Sequence, residues 1–325
     1  MNRRLFAILF ASGIALLATA MPVGASDFPT KPLRLVVPYS TGGASDIFAR
    51  VIAQKLSERL KQPVIVDNRP GAGGTIGADH VAKSAPDGYT MLFSDVGVYN
   101  VATALYPKLP YKPSDLTPVI DVASSSLLLV TASGSPLRTF QDVLSREKQQ
   151  PGVLNIASGG TGTITHLMIA LLNESAKTRL QHVPYKGGGA ALIDVVGGQM
   201  DMMFIGAPPA MPMVAQGRLR VLAVTSPKRL ANMPDVPTLA ESGVSGFDAT
   251  VEDAIFVAAG TPAATVALPN RELSQVIKLP DVRKRWMELG AEPGSGSTPE
   301  QLKVTLELGA IKWGKLIQEA NIKLD

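Results

Sequence analysis

Short runs of apolar residues alternate with longer stretches in which apolar residues recur every three or four positions. Residues 33–38 are a run of the first kind, and residues 44–60 are of the second, with Phe48, Ile52 and Leu56 on one stripe. A short apolar run predicts a buried strand, and a stripe with a helical period predicts an amphipathic helix. Because strands and helices alternate, we expect mostly parallel sheets covered by helices on both faces.

The same alternation continues along the chain. Further strands are predicted at 64–66, 90–93, 127–131, 154–157, 180–183, 201–205 and 219–225, and further helices at 76–84, 164–176, 189–197 and 209–216. The C-terminal third predicts helices at 264–277, 282–289 and 299–319. Pro269 lies inside the first of these, and proline removes a backbone donor, so we expect that helix to break or to start there.

The N-terminus has the pattern of a secretory signal. Arg3 and Arg4 precede an uncharged apolar run over 5–20, and the small residues 23–25 follow. The run is shorter than the roughly 20 residues that a membrane-spanning helix needs, which favours a cleaved signal over an anchor. The sequence therefore predicts a signal peptide over 1–25, cleavage after Ala25 and a periplasmic protein.

The amino-acid composition excludes several classes of function. The formal net charge of +4 includes both signal arginines, and no Lys/Arg run or basic stripe with interleaved aromatics occurs, so no nucleic-acid partner is expected. The absence of cysteine excludes disulfides, thiol catalysis and cysteine metal sites. His80, His166 and His182 show no metal-binding spacing, and His182 is expected to be structural. We expect neither a metal nor a cofactor.

Two glycine-rich turns, 39–46 and 158–166, each connect a predicted strand to a predicted helix. The backbone N–H groups of such a turn, together with the positive end of the helix dipole, favour an anion. We expect the N–H groups of Gly42, Gly43, Gly160 and Gly162 to approach the ligand. Two such turns predict one small anion held from two sides.

Two polar residues in these turns, and a lysine outside them, have two interpretations each. Asp46 in the first helical turn can offset the helix dipole or accept a ligand ammonium or hydroxyl. His166 can contact the ligand or pack locally. Lys186 follows a strand end, where ligands of open α/β sheets bind, and can pair with a ligand carboxylate or remain solvated.

Motifs for catalysis and for nucleotide binding are weak in this sequence. No G-x-S-x-G elbow occurs, and the turn after Ser158 lacks the lysine of a phosphate-binding loop. An exported enzyme acting on a carboxylate remains an alternative, with Ser40 or Ser158 as nucleophile and His166 as base. A receptor that presents its ligand to a signalling partner is the alternative among binding proteins.

A series of segments resembles one family, in order, through nearly the whole mature chain. These segments are PTKPLRLVVP (29–38), GGASD (42–46), DNRPGAGG (67–74), PDGYT (86–90), ASGGTGT (157–163), HVPYKG (182–187) and PDVPTLAESG (234–243). The chain resembles the extracytoplasmic solute receptors of tripartite tricarboxylate transporters, the Bug-type binding proteins.

The resemblance implies an α/β, two-lobed fold of the type II periplasmic binding class and a monomer that hands a small carboxylate to membrane transporter subunits. We expect lobe 1 to comprise 26–124 plus 250–325 and lobe 2 to comprise 125–249. The ligand-binding residues that follow are Tyr39, Ser40, Thr41, Gly42, Gly43, Asp46, Ser94, Ser158, Gly159, Gly160, Thr161, Gly162, Thr163, His166, Tyr185 and Lys186.

The sequence departs from the family pattern in its C-terminal third. Where members of the family carry a Trp and a Gly before an apolar strand, this chain has Val-Glu-Asp-Ala-Ile at 251–255. We expect the hinge where the chain crosses between the lobes, near 124–128 and 246–252. We expect the departure to change packing near this hinge and to leave both glycine-rich turns intact.

Overall fold

The computed structural model describes residues 28–106, 108–319 and 322. The expected signal peptide over 1–25 and its cleavage site lie outside these residues. The strands are β1 (Leu33–Val37), β2 (Val64–Asn68), β3 (Thr90–Asp95), β4 (Leu116–Ala132), β5 (Asn155–Ser158), β6 (Gln181–Pro184), β7 (Met202–Gly206), β8 (Leu219–Val224), β9 (Thr250–Ala258) and β10 (Ala291–Pro293). No helix within the described ranges is long and apolar enough to cross a membrane.

The helices cover the faces of the sheets that these strands form. They are α1 (Ala44–Leu60), α2 (Thr75–Ala82), α3 (Gly97–Asn100), α4 (Ala102–Leu105), α5 (Phe140–Gln149), α6 (Ile164–Ala176), α7 (Gly188–Val196), α8 (Ala207–Ala215), α9 (Ala263–Val276), α10 (Pro280–Glu288) and α11 (Pro299–Glu319). Two short 3₁₀ turns, Ala72–Gly74 and Pro113–Asp115, precede α2 and β4.

The strands form two lobes that share one long strand. The first lobe has the order β2-β1-β3-β9-β4 with β10 added to β4, and the second has β6-β5-β7-β4 with β8 also paired to β4. In β4, residues 116–126 pair with β9, and residues 127–132 pair with β7 and β8. The two-lobed α/β fold is therefore as expected.

Each sheet is mixed rather than mostly parallel. β1 is parallel to β2 and β3, and β5 is parallel to β6 and β7, as the alternating pattern predicts. β9 is antiparallel to β3 and β4, and β4 is antiparallel to β7 and β8. Every one of these antiparallel pairs includes β4 or β9, the two strands that lie where the chain passes between the lobes.

Each lobe has its own apolar core, and α11 contacts both. In the first lobe the rings of Phe48 and Trp286 lie 5.1 Å apart, and both side chains are fully buried. Phe140 and Phe204 are buried in the core of the second lobe. The C-terminal part of α11 adds Trp313 to that second core, whereas its first turns pack on the first lobe.

The proline in α9 does not break the helix, and the expectation of a break at Pro269 was wrong. α9 runs from Ala263 to Val276 with Pro269 inside it. Pro269 is buried on the same face as Val266 and Leu273. The side chain of Asn270 donates to the carbonyls of Val119, at 2.8 Å, and Ser297, at 2.9 Å. Packing and this anchoring offset the hydrogen bond that proline cannot donate.

Candidate functional site

A cavity of about 100 Å³ lies between the two lobes. A second hollow of about 420 Å³ lies beside it, lined by residues 38–40, 70–74, 159–161, 163 and 185–187. The first lobe lines the inner cavity with Tyr39, Ser40, Gly43, Ala44, Ser45, Asp95, Ser125, Val251 and Asp253, and the second with Leu127, Gly159, Thr163, Ile164, Thr165, Gly187, Gly188, Phe204, Ile205, Gly206 and Pro209.

The N-termini of α1 and α6 converge on this cavity. The residue before α1, Gly43, gives it no side-chain cap. The cap of α6 is Thr163, whose hydroxyl accepts from the backbone N–H of His166. The first residues of both helices, Ala44 and Ile164 among them, line the cavity. The positive ends of two helix dipoles therefore meet where an anion would lie.

The four glycine N–H groups expected to cradle the ligand donate within their own turns. Gly42 donates to the carboxylate of Asp46 at 2.9 Å, and Gly43 lies 3.4 Å from the carbonyl of Ser40. Gly160 donates to the Ser158 hydroxyl at 3.0 Å, and Gly162 donates to Nδ1 of His166 at 3.2 Å. In this structure these groups hold the turns in shape, and residues of the first turns of α1 and α6 line the cavity.

The carboxylate of Asp46 acts as a cap inside the first lobe. Besides Gly42, it accepts hydrogen bonds from Arg50 and from the side chain of Asn68, at 3.0 Å. Burial alone would raise the pKa of Asp46, but the hydrogen bonds from Arg50, Gly42 and Asn68 lower it below the ordinary value. Of the two interpretations of Asp46, this geometry matches the one in which it stabilises the start of α1.

The serine and histidine residues of the enzyme alternative have other partners. Ser158 Oγ lies 2.6 Å from Nε2 of His182, not of His166, and the rings of the two histidines stack 4.1 Å apart. Ser158 is fully buried and lines neither hollow. The Ser40 hydroxyl donates to the carbonyl of Lys186 at 2.5 Å, across the lobes.

The structure brings nine of the sixteen predicted residues to the two hollows. Those nine are Tyr39, Ser40, Gly43, Gly159, Gly160, Thr161, Thr163, Tyr185 and Lys186. The remaining seven, Thr41, Gly42, Asp46, Ser94, Ser158, Gly162 and His166, line neither hollow. Ser94 is fully buried and donates to the Tyr39 hydroxyl at 3.4 Å, and the Tyr185 hydroxyl donates to Asp194 at 2.6 Å.

Two buried acids at the cavity are absent from the sequence prediction. Asp95 ends β3, and Asp253 lies directly opposite it in the antiparallel strand β9. Asp95 accepts hydrogen bonds from the Tyr39 hydroxyl and from the Gly97 N–H, at 2.8 Å. Asp253 accepts from the Ser45 hydroxyl at 2.7 Å. Both acids are over nine-tenths buried, at 6% and 1% exposure.

Burial controls the protonation of these groups. Burial and then the Asp95 carboxylate raise the pKa of Asp253 to about 7. Burial likewise raises the pKa of Asp95, and burial together with Asp95 raises the pKa of Tyr39. Asp253 belongs to the 251–255 segment that departs from the family pattern. That departure is the sequence signal that points to Asp253, and the structure shows that it changes the lining of the cavity.

The lobes approach each other closely around the cavity. A Cβ atom added to Gly73 would lie 2.8 Å from the carbonyl oxygen of Gly162, so the two backbones nearly touch. A Cβ atom added to Gly206 would lie 2.7 Å from the Cβ atom of Ala44. The Tyr106 hydroxyl lies 3.5 Å from the carbonyl of Thr161. The structure is therefore a closed arrangement of the two lobes.

Two α/β lobes that share a long strand and close over a cavity with convergent helix N-termini define a two-lobed solute-binding protein. The sequence model of the tripartite tricarboxylate transporter family receptor matches residues 48–322, and the chain belongs to this family. In the described part of the chain, no group of three or more His, Asp or Glu side chains is placed to hold a metal ion.

Relatives extend along almost the whole chain. The UPF0065 protein in the tcbD-tcbE intergenic region of Pseudomonas sp. (strain P51) is 39% identical over 313 residues, covering 95% of this chain and 93% of the relative. The periplasmic binding protein BugD is 30% identical with a TM-score of 0.87, over 91% of this chain and 99% of BugD. MatC of Rhodopseudomonas palustris with bound malate is 32% identical with a TM-score of 0.85, over 89% of this chain and 100% of MatC. The resemblance drawn from the sequence is confirmed.

Proposed function

We propose that this chain is a periplasmic receptor that closes its two lobes over a small carboxylate and delivers it, unchanged, to a tripartite tricarboxylate-type membrane transporter. The observation that carries the proposal is the convergence of the α1 and α6 N-termini on one cavity between the lobes. Backbone dipoles of this kind bind a carboxylate without a lysine or arginine. The malate bound to MatC, a relative at 32% identity, supports the same ligand class.

The proposal includes the finer features expected from the sequence. The receptor is exported by the signal over 1–25, acts as a monomer, and has lobe 1 at 26–124 plus 250–325 and lobe 2 at 125–249. Pairing of residues 116–126 of β4 with β9, and of 127–132 with β7 and β8, supports boundaries near 124 and 250. The partners of Ser158 and Ser40 support binding without catalysis.

Calorimetric titration with a panel of two- to six-carbon carboxylates, on protein stripped of any co-purified ligand, tests the proposal. Native mass spectrometry before stripping identifies a molecule that co-purifies. We expect at least one carboxylate to bind and to be recovered unchanged. Binding of none of them, or slow turnover of a bound one, would contradict the receptor function.

A substitution inside the cavity tests the site. Gly159 lines the cavity without a positive φ, and the nearest atoms to an added Cβ would be Gly188 N at 3.4 Å, Thr165 Oγ1 at 3.6 Å and Gly187 C at 3.9 Å. Gly159→Val should therefore fold but fill the cavity, weakening carboxylate binding by tenfold or more. Gly134→Val, in a loop with nothing within 4 Å of the added Cβ, is the control and should bind as wild type.

A further inference from the structure

The two buried acids at the cavity have no cationic partner within the described residues. Asp95 accepts only from Tyr39 and Gly97, and Asp253 accepts only from Ser45. Neither acid takes part in an ion pair in that part of the chain, and Asp253 Oδ2 has no hydrogen-bond donor there. A buried carboxylate normally has a charged partner or several donors. Asp253, which lines the cavity, therefore has an oxygen left for a ligand.

The cavity lining consequently combines groups that favour an anion with groups that favour a cation, and the two kinds adjoin where Ser45 of α1 donates to Asp253. Ala44 and Ile164 mark the helix N-termini that favour an anion, whereas Asp95 and Asp253 come from the facing strands β3 and β9. A ligand with a carboxylate alone is complementary only to the helix N-termini. A ligand that carries a carboxylate and a protonated nitrogen is complementary to the helix N-termini and to the two acids.

We propose that Asp253, supported by Asp95, determines the specificity of this receptor by binding a protonated amine, so that the ligand is a small amino-carboxylate. The inference rests on the proposed function, because it places the ligand carboxylate at α1 and α6. An ammonium group donates charge-assisted hydrogen bonds to carboxylates and neutralises their charge. A second carboxylate beside Asp253 would be repelled by both acids, and a hydroxyl would leave their charge uncompensated.

The test compares carboxylates in pairs that differ only in one amine. The pairs are L-alanine and propionate, L-aspartate and succinate, L-glutamate and glutarate, and L-2-aminoadipate and adipate. Calorimetric titration of the stripped wild-type protein at pH 8 gives the affinity ratio within each pair. We expect the amine to improve affinity at least tenfold in the pair that fits the cavity.

Asp253→Asn should remove this preference while keeping the size of the side chain. We expect the amino-carboxylate to bind the variant at least tenfold more weakly than it binds the wild type. The carboxylate without the amine should bind the variant as tightly as the wild type, or more tightly. Glu252→Gln is the matched control, since it removes a charge from the adjacent residue of β9, which does not line the cavity. It should leave the affinity ratio unchanged.

The outcomes separate this inference from the function on which it rests. Equal affinity within every pair, or an equal loss for both members in Asp253→Asn, would overturn the amine site and leave the carboxylate receptor standing. Binding of no member of any pair would overturn the receptor function and, with it, the amine site. If Asp253→Asn does not fold, Asp95→Asn tests the same ratio from the opposite strand.

Discussion

At the scale of single residues, Asp253 makes the ligand-free receptor less stable at neutral pH than at acidic pH. Its pKa is about 7 in the folded protein, against an ordinary value of 3.8. Between these values the folded state binds a proton that the unfolded state does not, so the free energy of unfolding falls as pH rises from about 4 to 7 and levels off above.

Asp253→Asn should therefore stabilise the ligand-free protein at pH 8. Because one pKa unit corresponds to about 1.4 kcal/mol, we expect a gain on the order of 2–4 kcal/mol. Urea unfolding at pH 8 and pH 4.5 measures it, and the gain should largely disappear at the lower pH, where Asp253 is protonated. A loss of stability at pH 8 would mean that the carboxylate is better compensated than its contacts indicate.

The sequence predicts the glycine-rich turns better than it predicts what each residue in them does. In each turn the strand, the glycines and the helix follow one another directly in the sequence. The turns at 39–46 and 158–166 can therefore be found from the spacing of these residues alone. At Gly43 the backbone φ is −77°, a conformation open to any residue, whereas Gly160 and Gly162 have positive φ. The acid pair could not be found in this way, because only the pairing of β3 with β9 brings Asp95 and Asp253 together.

At the scale of elements, the side chain of Asn270 anchors α9 to two other elements of the first lobe. The Asn270 amide donates to two carbonyls, those of Val119 in β4 and Ser297 before α11. Asn270→Ala leaves both carbonyls without this donor, and we expect the free energy of unfolding to fall by about 2 kcal/mol. Chemical denaturation measures the change.

Arg271→Ala serves as the control for that measurement. Arg271 is the next residue of α9, is exposed, and pairs with Glu272. Exposed ion pairs contribute about 0–1 kcal/mol, so this variant should unfold close to wild type. Equal losses in the two variants would show that Asn270 contributes no more than a surface residue of the helix.

Helices were easier to predict from the sequence than the strands that join the lobes. The predicted bounds of α1, α6 and α11 agree with the structure, because their apolar stripes are long and regular. β4 was predicted only at 127–131, although it extends from Leu116 to Ala132. Its first part contains Pro118 and three consecutive serines, and it is a strand because β9, far away in sequence, pairs with it.

At the scale of the whole molecule, the Thr225 hydroxyl links the two segments in which the chain crosses between the lobes, beside backbone hydrogen bonds among the same residues. Thr225 Oγ1 accepts from the N–H of Leu127 at 3.0 Å and donates to the carbonyl of Ala249 at 2.6 Å. Both crossing segments, one in β4 and one before β9, are thereby held side by side. We propose that the lobes rotate about these two segments when the cavity opens.

Closure depends on contacts between the lobes, among which is the hydrogen bond from Ser40 to the Lys186 carbonyl. Ser40→Ala removes it without changing a charge. Such a bond contributes about 0.5–1.5 kcal/mol, so we expect the affinity for the bound carboxylate to fall about two- to tenfold. Stopped-flow measurement should place most of the loss in faster ligand dissociation, because the bond exists only in the closed state.

Ser84→Ala is the matched control for Ser40→Ala, since the Ser84 hydroxyl donates to the His80 carbonyl within the first lobe. It should leave ligand affinity and dissociation unchanged. Faster dissociation in both variants, or in neither, would contradict the assignment of Ser40 as a closing contact.

Because Gly206 and Ala44 nearly touch across the lobes, one added methyl group at Gly206 would hinder closure of the lobes. Gly206 has φ of −60°, so an alanine fits the backbone of its own lobe, and the obstacle it would meet is the Ala44 side chain of the opposite lobe. A mutation there would shift the balance between open and shut forms. One methyl group at this point of contact between the lobes would therefore favour the open form and lower the affinity for the ligand without adding or removing a charge.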